Sequence, residues 1–145
     1  MIKNLNMTVL IDNIATEPLC CEWGLSIFIE ADEKKILLDT GASELFVSNA
    51  KLLNISLEDV DFAVLSHAHY DHADGMPAFF SYNSKAEFLL SSKSHENCYG
   101  MEDGKLKYVG IQPGIMEQYA ERIKYVDGVL KISDGIWIIP HLDAD

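Results

Sequence analysis

Three of the chain's five histidines fall in the stretch VLSHAHYDHADG, as His67, His69 and His72, with Asp71 between the last two. Imidazole and carboxylate are the side chains that zinc, iron and manganese prefer as ligands. The apolar run DFAVLS, residues 61–66, comes directly before them and reads as a buried strand. A turn at a strand's end points alternate side chains one way, which suits His67 and His69 for one metal. Asp71 and His72 then turn toward a neighbouring position, and Gly75 lets the backbone bend before a helix begins. The bland alternative is a solvated polar loop that happens to be rich in histidine. H-x-H-x-D-H straight after an apolar strand argues against it.

A second stretch, KILLDTGAS at residues 35–43, also has the form of a catalytic segment. A hydrophobic run ending in Asp-Thr-Gly-Ala-Ser is similar to the active-site signature of a retroviral-type aspartic protease, with Asp39 as the catalytic carboxylate. That chemistry needs two carboxylates sharing one proton, the second coming from another subunit. It also needs an apolar pair followed by glycine later in the chain. Ile138 and Ile139 are followed by Pro140 instead, and the reading leaves His67 to Asp71 unexplained.

Bulk composition narrows the function classes. With 145 residues, 48% hydrophobic and 23% charged, the chain is expected to form a single domain over 1–145 with a real core. Eleven basic against 23 acidic side chains give a formal charge of -12, which argues against a nucleic-acid surface. The cysteines Cys20, Cys21 and Cys98 are odd in number and lack CxxC spacing. They read as reduced thiols, hence a cytoplasmic protein. No apolar run is long enough to span a bilayer, so no membrane partner is expected.

The elements that must position these residues read as follows. Residues 7–12 form a strand, and 25–30 and 35–39 form two more joined as a hairpin through ADEK. Ser43 is an N-cap candidate for a helix over 44–53, with Leu45, Phe46, Leu52 and Leu53 on one face. Ser56 and Asp59 open a helix of one or two turns. After the histidine stretch a short helix carries Phe79 and Phe80, followed by a strand at 86–90. Residues 91–112 read as loop and 114–121 as helix. Strands are expected at 122–126, 129–133 and 135–140, with Asp-Gly turns between them. Strands with interspersed helices place the chain in the α/β or α+β class.

The order LLDTG at 37–41, a helix, an apolar strand and H-x-H-x-D-H at 67–72 resembles the metallo-β-lactamase-fold hydrolase superfamily, clearly from residue 7 to about residue 90. The resemblance implies an α+β fold, an αββα sandwich with a metal site at one edge of its two sheets. It implies that His67 and His69 bind a first metal and Asp71 and His72 a second. Zinc is the expected cofactor, as one or two divalent ions, with iron or manganese as other options. Asp39 becomes a residue that supports the metal loop by hydrogen bonds. Within the superfamily the chain is similar to small-molecule hydrolases and to the dihydropterin phosphate synthase-like branch.

The implied activity is hydrolysis of a small-molecule ester, thioester, amide or phosphoester by a metal-activated hydroxide. Asp71 would orient the water and take its proton. The family pattern also needs a third histidine, a bridging aspartate and a final histidine. Of the remaining candidates, His95 reads as a surface residue, His141 ends a strand, and Asp143 and Asp145 come too soon to bridge. The expectation is therefore the N-terminal half of the sandwich, truncated at its C-terminus. Such a chain would be weakly active and would associate with itself or with a missing half. A non-catalytic metal-binding or interaction fragment is the competing reading.

Overall fold

The computed structural model describes residues 1–140. Its centre is a six-stranded sheet in the order β1-β2-β3-β4-β5-β8. The strands are β1 (Leu5–Ile11), β2 (Ser26–Ala31), β3 (Lys34–Leu38), β4 (Phe62–Val64), β5 (Glu87–Ser91) and β8 (Ile123–Val126). The first three pair antiparallel, and β3, β4, β5 and β8 run parallel. Sequence pattern follows this division. Among the parallel strands, β4 and β5 read as unbroken apolar runs, FAV and FLL. β1 lies at the sheet edge and leaves Leu5, Met7 and Val9 exposed.

Two hairpins stand outside the central sheet: β6 (Tyr99–Glu102) with β7 (Lys105–Tyr108), and β9 (Leu130–Ser133) with β10 (Ile136–Ile138). The first lies inside the segment expected to be loop. Its signal is the dipeptide Asp103-Gly104, whose φ values of 51° and 74° suit a tight hairpin turn.

One sheet face carries the helices α1 (Leu45–Leu52) and α3 (Met76–Tyr82). Phe28 and Leu37 from the sheet, Phe46 and Val47 from α1, and Phe79 from α3 meet there in the main core, together with Phe88 from β5. α1 differs from its expected packing. It buries Phe46, Val47, Asn49 and Ala50, while Leu52 and Leu53 face solvent. Ser43 precedes the helix by two residues, and its hydroxyl accepts the Leu45 N–H at 3.2 Å.

The opposite sheet face is also apolar. Ile29, Ile36, Val64 and Leu89 line a groove of about 660 Å³ with Ile136 and Trp137 of the β9–β10 hairpin. No helix among the described residues is long and apolar enough to cross a membrane.

Candidate metal centre

The central loop begins where β4 leaves the sheet. Leu65 adds one more rung through its N–H to the Leu89 carbonyl at 2.9 Å. On the adjacent strand Asp39 directly follows β3 with φ 58°, a left-handed conformation that aspartate tolerates better than most residues. Its N–H still bonds the Val64 carbonyl at 2.9 Å, so the carboxylate lies beside the start of the loop. There it accepts the Ser66 N–H at 2.7 Å and the Ser66 hydroxyl at 2.6 Å. Ala68 turns into the core while His67 and His69 stay exposed. His69 bridges to Gly110, and the Tyr70 N–H bonds the Val109 carbonyl at 3.0 Å. One helical turn, α2 (Tyr70–Ala73), then carries Asp71 and His72, both half-buried.

Three imidazoles gather at this loop. The His67 ring centroid is 4.6 Å from that of His69 and 4.1 Å from that of His72. Asp71 Oδ2 is 3.7 Å from His72 Nε2. Hydrogen bonding assigns the tautomers. The one hydroxyl proton of Ser66 goes to the Asp39 carboxylate, so Ser66 Oγ must accept from His67 Nδ1 at 2.9 Å. His72 Nδ1 faces Asp39 Oδ2 at 2.7 Å and is protonated for the same reason. In their neutral forms both rings then keep the lone pair on Nε2, the state a metal ligand requires.

The charges favour this arrangement at His67: burial pushes its pKa down, and the neighbouring His72 and His69 push the same way, toward the neutral ring. The Asp39 hydrogen bond raises His72, with burial opposing it, so that ring must give up its Nε2 proton to take a cation. Burial likewise raises Asp74, whose carboxylate accepts the Gln112 N–H at 2.7 Å.

The donor chemistry thus fits a divalent cation, but the cage is open. Among the described residues no group of three or more His, Cys, Asp or Glu side chains stands close enough to enclose a metal ion. His95 is exposed, with its ring 6.2 Å from that of Tyr125. Cys20 and Cys21 are free and exposed. His141, Asp143 and Asp145 lie outside the described residues.

Asp39 also decides the protease question. It is wholly buried, and its oxygens are committed to Ser66 and His72. No face remains on which a second carboxylate could share its proton. Asp39→Asn should weaken zinc affinity by about ten- to a hundredfold, because the amide cannot hold both partners as a carboxylate does. Competition with a chromogenic chelator measures this, and unchanged affinity would assign Asp39 to folding alone.

The role of Gly75 differs from the expected one. Its φ is -78°, which any residue adopts. A Cβ there would lie 2.3 Å from the Thr40 carbonyl oxygen and 2.7 Å from that of Ser43. Gly75 therefore permits close packing of α3 on the Thr40–Ser43 turn. Sequence reading missed this turn's contacts. The Thr40 N–H and hydroxyl both bond the His72 carbonyl, at 2.8 and 3.1 Å.

Comparison with known proteins gives a consistent family. The model of the Metallo-beta-lactamase superfamily matches residues 24–142. Uncharacterized protein MJ0448 of Methanocaldococcus jannaschii is 32% identical over 142 residues, covering 94% of this chain and 53% of that protein. The 7,8-dihydropterin-6-methyl-4-(beta-D-ribofuranosyl)-aminobenzene-5'-phosphate synthase of the same organism is 35% identical over 82 residues, covering 52% of this chain and 28% of the synthase. Among solved structures Tm1679, a metal-dependent hydrolase of the beta-lactamase superfamily, aligns with a TM-score of 0.70 and 24% identity. That alignment covers 94% of this chain and 48% of Tm1679, and it shows a shared fold. The chain thus spans about half the length of MJ0448 and less of the synthase.

Proposed function

The chain belongs to the metallo-beta-lactamase superfamily, and from that membership we propose that it contributes the metal-binding loop of a metal-dependent hydrolase. His67, His69, Asp71 and His72 would hold one or two divalent cations, zinc first by the donor set. The observation that carries this reading is the buried Asp39 carboxylate. It fixes His72 directly and His67 through Ser66, with both Nε2 atoms left for a cation. Carboxylate–histidine pairs of this kind accompany most metal-ligating histidines.

A cation held there supplies Lewis acidity toward a carbonyl or phosphoryl oxygen and makes water reactive near neutral pH. The chain's own residues then do three things. Asp39 and Ser66 hold the imidazole orientation. Thr40 anchors the backbone of the helical turn at His72. Asp71, whose Oδ2 is 3.7 Å from His72 Nε2, would orient the attacking water and receive its proton.

The substrate class proposed is a small-molecule ester, thioester, amide or phosphoester. Similarity to the dihydropterin phosphate synthase supports a small molecule, and the charge of -12 weighs against nucleic acid. Three free cysteines support a reducing, cytoplasmic setting. A second reading, a non-catalytic metal-binding fragment, is favoured by the open cage among the described residues. Zinc analysis with an esterase and phosphodiesterase panel separates the two. Zinc uptake with turnover supports the hydrolase; uptake with none across the panel supports the fragment.

The apolar outer sheet face bears on the assembly. We expect it to pack against a second copy, since Leu5, Trp137 and Ile139 around the groove are exposed and exposed apolar patches mark association surfaces. Light scattering at about 50 µM should give a mass above the 16.2 kDa of one chain. A monodisperse monomer would remove that expectation.

A further inference from the structure

We propose that Glu22 is a positioning residue for the metal loop, acting from the β1–β2 connection through the Thr40–Ser43 turn onto His72. Its predicted effect on metal affinity rests on the metal reading of residues 67–72. Its effect on loop order does not.

The Glu22 carboxylate reaches across the chain to the start of α1. It accepts the N–H groups of Ala42 and Ser43 at 3.0 and 3.1 Å and the Ser43 hydroxyl at 2.6 Å. The turn is shaped around this carboxylate. Gly41 sits at φ 72°, and a Cβ there would lie 2.6 Å from Glu22 Oε1.

The other side of the same turn is the metal loop. Thr40 holds the His72 carbonyl through two hydrogen bonds, and the Gly75 N–H bonds the Gly41 carbonyl at 3.3 Å. The turn is thus held between Glu22 and His72. The β1–β2 connection also touches Asp71. The Leu25 N–H bonds the Asp71 carbonyl at 3.3 Å, and a Cβ on Gly24 would lie 2.2 Å from that oxygen. One connection therefore sets the backbone under both Asp71 and His72.

The connection is itself anchored. Asn49 of α1 is buried and bonds the Cys20 N–H at 2.9 Å and the Cys20 carbonyl at 2.8 Å. The Glu22 N–H bonds the Asp12 carbonyl at 3.3 Å. Removing the carboxylate leaves two amides and a hydroxyl in a half-buried turn without their acceptor, which is costly. The turn then shifts or opens, and Thr40 loosens its hold on His72. Gln keeps one carbonyl oxygen in place for the two amides and preserves most of the arrangement.

Amide hydrogen exchange on the full metal-free chain, with chelator competition for zinc, tests this in Glu22→Ala and Glu22→Gln. In Glu22→Ala the Thr40 amide should exchange at least about tenfold faster, while amides of β4 and β5 keep their protection. Zinc affinity should fall about tenfold, and Glu22→Gln should restore both to within about threefold. Unchanged Thr40 exchange in Glu22→Ala would overturn the proposal, as would a uniform loss of protection across the sheet. If Thr40 protection falls locally while the unsubstituted chain takes up no zinc, the positioning role stands and the metal reading of the loop fails.

Discussion

His69→Ala is expected to lower zinc affinity by more than about a hundredfold, beyond the usual cost of losing a partner that only supports a ligand. His95→Ala is expected to leave it unchanged. The difference follows from placement. His69 stands at the mouth of the loop, 4.6 Å from His67 between ring centroids, and its backbone is pinned to Gly110. Substitution there removes a donor without disturbing the core, since the side chain is exposed. His95 lies against Tyr125 on β8 and makes no contact with the loop rings. Competition with a chelator of known affinity gives both numbers under one condition. Equal loss from both variants would show that His95 reaches the metal and that the present assignment is wrong.

Phe79→Ala is expected to cost about 3–5 kcal/mol of folding stability. Phe79 is wholly buried on α3, with ring centroids 5.7 Å from Phe80 and 5.8 Å from Phe88. Truncation removes an aromatic ring from a place where α3 and β5 meet, and neighbours on rigid elements cannot fill the space. Against a typical domain stability of about 5–15 kcal/mol, that loss is large. It also reaches the site, because α3 follows the ligand turn directly and its Gly75 packs on Thr40. Urea unfolding measures the change. Met101→Ala, on the exposed hairpin strand β6, serves as the control and should shift stability by no more than about 0.5 kcal/mol. A Phe79→Ala loss below about 1 kcal/mol would mean that this part of the core repacks freely.

Local pattern made part of this architecture legible from sequence. The β2–β3 hairpin and the apolar run before His67 follow from alternation and short polar turns, which leave their mark on adjacent residues. The histidine spacing was equally plain. Contacts between distant residues left no such mark. Glu22 bonds Ala42 and Ser43 some twenty positions away, and nothing in CCEWG marks it as different from a surface glutamate. Asn49 draws no notice in the sequence, yet it is buried and bonds Cys20 and the Leu10 carbonyl. The exposure of Leu52 and Leu53 is not legible because helical periodicity defines a stripe without saying which stripe meets the sheet. The β6–β7 hairpin was hidden by its glycines, although Asp103-Gly104 carried the turn signal. For Gly75 the sequence marks the residue but not the reason for it. Close approach of two backbones can be read only when both are in place.

Anomalous diffraction at the zinc edge, from crystals of the chain grown with zinc, tests whether the proposed metal loop from His67 to His72 takes up the cation. An anomalous peak is expected within coordination distance of Nε2 on at least two of His67, His69 and His72, with Asp71 beside it. A peak at His95 or at Cys20–Cys21, with none at the loop, would contradict it.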